Sequence, residues 1–179
     1  MHQRTNLFTL LILLIAIQTN AQDTTKNIKS SHRLSFGLGH TSISEGRQNG
    51  QTQWLPLASW SLNYDYWLNN KWAIGLQNDW ILETFVVKQK SGSVIERKNP
   101  IAVIPVGMYK LSGHLTAVFG AGLEFSHGHN LGLTRLGAEY GVHLPKHTEV
   151  GVALVWDNKW NYYNSWGIAF TVGKLWTKH

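Results

Sequence analysis

From Ser31 onward the chain alternates bulky apolar side chains with small or charged ones at a period of two. In the stretch "GLEFSHGHNLGLTRLGAEYGVHL" the alternation runs up to Phe125, breaks at "HGHN", and resumes to Leu144. That period is the signature of a strand with two unlike faces, and no segment sustains a helical i, i+3, i+4 pattern. Eight such segments are expected, at approximately 32–44, 54–67, 71–87, 101–110, 114–126, 133–144, 149–158 and 165–176. The breaks alternate in kind: "NN", "LSG" and "PKHT" are tight, whereas "EGRQNG", "KQKSGSVIERKNP", "HGHN" and "NKWNYYN" are longer and more polar. Four consecutive hairpins of this sort make a meander with short turns at one end and longer loops at the other. The predicted fold is all-β: an eight-stranded antiparallel up-and-down transmembrane β-barrel.

The sidedness of the strands decides between a soluble and a membrane barrel. One face collects Leu115, Ala117, Phe119, Ala121, Leu123 and Phe125; the other collects Thr116, Val118, Gly120, Gly122, Glu124 and Ser126. The same division runs through Trp60, Leu62, Tyr64 and Tyr66 against Ser59, Ser61, Asn63 and Asp65, and through Trp166, Ile168, Phe170 and Val172 against Gly167, Ala169, Thr171 and Gly173. Small residues are what the narrow interior of an eight-stranded barrel can hold, and a solvent-facing surface has no need of them. The apolar face is therefore read as lipid-facing and the small face as the lumen. Trp72 and Trp80 share one face eight residues apart. At about 3.3 Å per residue and a tilt of about 40° they lie roughly 20 Å apart along the membrane normal. Trp166 and Trp176 lie roughly 25 Å apart on the same estimate, and all four are expected at the membrane interfaces.

Ahead of the barrel, residues 1–21 read as a signal peptide: Arg4, the 11-residue apolar run "LFTLLILLIAI", and a small residue, Ala21, at the cleavage position. Such a run falls short of the ~20 residues a spanning helix needs. Residues 22–31 are then a periplasmic tail and 32–179 the barrel. The chain has no cysteine, which excludes a disulfide-stapled secreted module. Its nine Trp and 17 Gly fit an aromatic-girdled barrel with a crowded interior. The sequence pI near 9.6 raises the question of nucleic acid, but the basic residues sit mostly in breaks between strands and form no stripe. No nucleic-acid partner is expected.

The leader, the eight amphipathic strands and the ending "SWGIAFTVGKLW" resemble small outer-membrane β-barrel proteins of Gram-negative bacteria, the OmpA-transmembrane-domain, OmpW and PagL-like group. That resemblance implies an outer-membrane location, contact with outer-membrane lipid and lipopolysaccharide, and insertion by the barrel-assembly machinery, which reads an aromatic near the end of the last strand. A monomer is expected, with no cofactor and no metal.

Candidate chemistry lies in the lumen and in one loop. Centring a hairpin on "HGHN" sets Glu124 opposite Arg135, both inward by parity, with Glu139, Asp79, Glu83, Asp65 and Arg33 as further members of an internal polar network. Eight strands leave an interior just wide enough for side chains, so this network is expected to plug the barrel. The alternative is a narrow channel or small-hydrophobe transporter, in the porin-like sense. His127 and His129 are read as an outward polar pair at the extracellular end of the fifth strand; two imidazoles without a third ligand do not make a metal site. "SHGHN" is similar to the His-x-Ser of PagL-like lipid A deacylases, with His127 in the place of the base. The serine position holds His129, and acyl transfer needs a hydroxyl nucleophile, so no enzyme activity is expected. The positive loop carrying Lys88, Lys90, Arg97 and Lys98 against Glu96 offers a contact for anionic lipopolysaccharide.

Overall fold

A computed structural model describes residues 31–88 and 92–177. The proposed signal peptide and all of the proposed tail except Ser31 lie outside the described residues. Ser31 itself opens the first strand. The described chain is a closed antiparallel barrel of eight strands: β1 (Ser31–Gln48), β2 (Gln51–Trp67), β3 (Trp72–Ile81), β6 (Ile101–Lys110), β7 (Leu115–Phe125), β8 (Leu131–Leu144), β9 (Thr148–Lys159) and β10 (Tyr163–Thr177). Each pairs with its neighbour along the chain, and β10 closes the ring against β1 from Ser31↔Thr177 to Ile43↔Ser165. Closure leaves no barrel edge unpaired, which a hydrocarbon environment requires.

The segment expected as one strand over 71–87 is two. β3 ends at Ile81, and after Leu82 and Glu83 the chain starts a separate hairpin, β4 (Thr84–Lys88) and β5 (Val94–Lys98). β4 touches the ring at Gly46↔Val87, on the edge of β1 just beyond the reach of β10. This hairpin folds over the mouth of the barrel. Beneath it Ile43, Leu57, Ile81, Phe85, Val87, Leu131 and Tyr163 form a buried apolar cluster. Phe85 meets the Tyr163 ring edge-on at 6.0 Å between centroids.

Local chemistry explains the turns. At Asn49 and Gly50 the backbone has φ of 52° and 79°, the pair of positive values that a two-residue type I′ hairpin needs and that Asn-Gly supplies. β1 and β2 consequently run almost to each other, and the polar "EGRQNG" is mostly strand rather than loop. At the opposite end, where both described termini lie, Asn69 Oδ1 accepts from the amides of Lys71 and Trp72 at 2.8 and 2.9 Å. Lys146 and His147 turn β8 into β9 with φ of 64° and 57°. Where β1 meets β10 the strands approach closely: a Cβ on Gly39 would lie 1.9 Å from the Ile168 carbonyl oxygen, so no other residue fits without moving the backbone.

The faces sort as the alternation requires. Leu38, Leu62, Ile74, Leu136, Ile168 and Phe170 all point outward, with Phe170 76% exposed. Trp72, Trp80, Trp166 and Trp176 also point outward, near strand ends. The interior is less uniformly polar than the alternation predicts. Trp67, Ala73, Ile104, Val106, Met108, Val118 and Leu133 pack into a second buried cluster inside the ring. One wall of the lumen is thus an ordinary hydrophobic core, and the charges occupy the rest.

Candidate functional site

The lumen charges come from strands whose inward positions fall at alternate residues, so a few odd-numbered or even-numbered positions on each strand converge on the axis. At the end carrying the described termini, Arg33 of β1 is the hub. Its Nε donates to Asp65 Oδ2 at 2.7 Å, its Nη1 to Glu149 Oε1 at 2.7 Å and its Nη2 to Glu139 Oε2 at 2.6 Å. Asp65 stands directly opposite Arg33 on β2, whereas the two glutamates reach across the ring from β8 and β9. His143, opposite Glu149, approaches Glu149 Oε2 at 3.2 Å. One guanidinium here faces three carboxylates, and Asp65 Oδ1 is buried without a hydrogen-bond partner among the described residues.

Gln77 of β3 links this group to the next. Its amide nitrogen donates to Glu139 Oε1 at 2.9 Å, and its amide oxygen accepts from Arg135 Nη1 at 3.0 Å. Arg135 of β8 grips Asp157 of β9 through Nε and Nη2, at 2.7 and 2.8 Å, and also donates to Asp79 of β3. Lys159 Nζ donates to Asp157 Oδ2 at 3.2 Å and to Ser165 Oγ at 2.6 Å, and lies 3.7 Å from Glu124 Oε2.

Under the hairpin, charged contacts accompany the apolar packing. Arg97 of β5 is 1% exposed and donates through Nε and Nη2 to Glu124 Oε1 at 3.0 and 2.7 Å. Another of its nitrogens donates to the His129 carbonyl oxygen. The Tyr163 hydroxyl meets both carboxylate oxygens of Glu124, at 2.7 and 2.8 Å.

These contacts correct three expectations. Glu124 is not opposite Arg135: the β7–β8 register pairs Glu124 with Leu131 and Arg135 with Gly120. The pairing centres the hairpin between His127 and Gly128, two residues earlier than a Glu124–Arg135 pair would require. The shift is an even number of residues, which is why both side chains still point inward. Glu83 is no lumen residue. It sits in the break between β3 and β4, exposed, and accepts from the Ala58 amide at 3.2 Å. Arg97 is buried in the mouth rather than presented at a loop surface; Lys88 and Lys98 are exposed, and Lys90 lies outside the described residues.

His127 and His129 fall in the loop after β7, both exposed, around Gly128 with φ of 97°. They therefore lie on no strand face. The Ser126 hydroxyl is bonded to the backbone amide and carbonyl of Lys98, and Glu139 belongs to the Arg33 group at the other end of the lumen. Among the described residues no group of three or more His, Cys, Asp or Glu is placed to hold a metal.

Sequence reasoning missed Asp157, Lys159, Glu149, Gln77, Tyr163 and Arg97. The first three were within reach of parity along β9, where Glu149, Asp157 and Lys159 alternate with bulky outward residues. Arg97 was not, because its position depends on the hairpin folding inward.

Between Asp79, Arg135 and Ser165 two voids of about 40 and 20 Å³ remain, enough for a few waters. A larger cavity of about 250 Å³ opens at the Arg33 end, lined by Trp67, Lys110, His114, Glu139, His143 and Glu149 among others. Chemically, the described lumen groups form a chain of ion pairs and hydrogen bonds in which carboxylates outnumber cations at the Arg33 end.

No family model matches the chain, and no curated protein matches it. Solved structures do. The crystal structure of Ail, the attachment invasion locus protein of Yersinia pestis, in complex with the heparin analogue sucrose octasulfate, matches with a TM-score of 0.54 at 12% identity. The match covers 83% of this chain and 100% of that one. A second crystal structure of Y. pestis Ail gives a TM-score of 0.51 at 12% identity, with the same coverage. Likeness at that identity is likeness of fold. Joined to the outward apolar belt, it makes the chain a small eight-stranded outer-membrane β-barrel with the fold that Ail also has.

Proposed function

We propose that this barrel is a closed scaffold, which holds its extracellular strands and loops at the cell surface for contact with other envelope components. The observation that supports the reading is the set of buried, paired charges at successive levels inside the ring: the Arg33 hub, the Arg135–Asp157 pair, and Arg97 with Glu124 beside an apolar cluster. A conduit would need a water-filled path through buried, paired charges, and separating such pairs costs several kcal/mol each. The surface partner this reading favours is an anionic saccharide such as the lipopolysaccharide core. Lys88 and Lys98 are exposed on the extracellular hairpin, and Arg47 stands beside the Asn49–Gly50 turn. Ail, which shares the fold, was crystallised with a sulfated sugar analogue.

The test is purified, folded protein in planar bilayers together with lipid A mass spectrometry of cells overexpressing it. No stepwise current and unchanged lipid A are expected. Currents that change when Glu124 or Arg135 is neutralised would establish a channel instead. Deacylated lipid A that disappears in His127→Ala would establish a hydrolase.

A further inference from the structure

On the outer wall, between β1, β2 and β3, lies a cleft of about 230 Å³ with an almost wholly apolar lining. Phe36, Trp60, Leu62 and Trp80 form its sides and Ile101 closes one end. The aromatic walls hold one another in place. Trp60 stacks on Trp80 at 5.4 Å and 21°, and Phe36 meets Trp60 edge-on at 5.6 Å and 78°. Such contacts fix ring orientation, so the cleft exists before anything enters it.

Asn78 is the unusual member, an amide on the lipid-facing side. Its Nδ2 donates to the Leu62 carbonyl oxygen at 2.8 Å, which satisfies one of its N–H groups in hydrocarbon. The floor is thin. Ser61 and Asp79, directly paired on β2 and β3, line both this cleft and the 40 Å³ void inside the barrel.

We infer that this cleft is a lipid site, which holds one acyl chain of an anionic lipid of the outer leaflet with its headgroup at Lys98. The occupant follows from position. Every wall faces the bilayer, so hydrocarbon is the only material that reaches it. Trp80 and Ile101 stand next to the extracellular ends of β3 and β6, which places the open end at the outer interface. Lys98, exposed, precedes Ile101 by three residues and is on the opposite face of β5 from the buried Arg97. A cation at that level attracts an anionic headgroup. The inference rests on the outer-membrane reading and adds a defined ligand class to it.

The experiment uses the full barrel in nanodiscs of phosphatidylcholine containing a trace of phosphatidylglycerol with a diazirine in the acyl chain. After photolysis, labelled residues are identified by mass spectrometry. Labelling of Trp60, Leu62, Asn78 and Trp80 is expected to exceed that of Ile168 and Phe170 several-fold. Asn78→Phe, which fills the cleft, should abolish the excess, while Ile168→Phe, across the belt, should leave it unchanged. Lys98→Ala should lower the preference for phosphatidylglycerol over an equally labelled phosphatidylcholine about fivefold, the factor one lysine contributes at an anionic surface. Labelling spread evenly around the belt would overturn the site, and equal labelling by the two lipids in the native protein would overturn the headgroup assignment. Heat-modifiable migration on gels confirms that each variant is folded. A barrel that conducts ions would sink the scaffold reading without altering the labelling pattern.

Discussion

Arg135 and Asp157 stand directly opposite each other on β8 and β9, and the guanidinium holds both carboxylate oxygens, at 2.7 and 2.8 Å. Both are almost fully buried inside the ring. Planar, two-pronged pairing of this kind is the strongest geometry an ion pair has, and only arginine offers it.

Arg135→Ala should therefore be costly. It leaves Asp79 without its cation and Asp157 with Lys159 alone, and removing one partner of a buried pair costs about 3–5 kcal/mol. Urea unfolding of the barrel in detergent, followed by tryptophan fluorescence, reads the loss. Arg135→Lys should recover only part of it, because an ammonium cannot span both oxygens.

Arg97 anchors the hairpin rather than the ring. Arg97→Ala should release β4 and β5 and expose the peptide bonds after Lys88 and Lys98 to trypsin on intact cells, while the ring keeps its heat-modifiable migration. On the closed-scaffold proposal no current should appear, since the Arg135 and Arg33 ion pairs do not depend on Arg97. Resistance to trypsin equal to that of the native protein would show that the apolar cluster alone holds the lid.

At Gly39 the decisive quantity is space. A side chain there meets the Ile168 carbonyl oxygen and the Ala169 Cα across the closing seam. Gly39→Val should lower the unfolding midpoint and increase hydrogen exchange along β1 and β10, with β6 and β7 unaffected.

The Asn49–Gly50 turn makes a local prediction. Gly50→Val puts a β-branched residue at φ of 79°, a strain on the order of 1–3 kcal/mol. Exchange should rise in the halves of β1 and β2 next to the turn, whereas the halves at the end of the described termini, held by Arg33 and Asp65, should not change. A uniform rise along both strands would contradict the independence of the two ends.

Much of this architecture was readable from residue type. Period-two alternation is a direct consequence of the pleat, so Leu115 to Phe125 declared which face meets lipid, and the inward direction of Glu124, Arg135 and Glu139 followed from it. Register was not readable in the same way. It depends on where the loop after Phe125 begins to turn, and "HGHN" contains no residue pair that dictates this as Asn49–Gly50 does. The Asn-Gly signal itself was present in "EGRQNG" but was outweighed by its polar neighbours, which continue the strands almost to the turn. The fate of Arg97 was the least legible. A basic residue in a polar break is ordinarily solvated, and only the inward fold of β4 and β5, driven by Phe85 and Val87, brings it to Glu124. The apolar lumen wall of Ile104, Val106 and Met108 was hidden for another reason: β6 is apolar on both faces, so alternation says little about it.

One edge of β1 serves two neighbours in succession, β10 as far as Ile43 and β4 at Gly46. The lid is thus built on the seam between the first and last strands of the ring. During assembly the hairpin has no finished rim to rest on until those strands have zipped together, so its seating is necessarily a late event. The moment at which the 84–98 segment becomes resistant to digestion then serves as a clock for the completion of the whole cylinder.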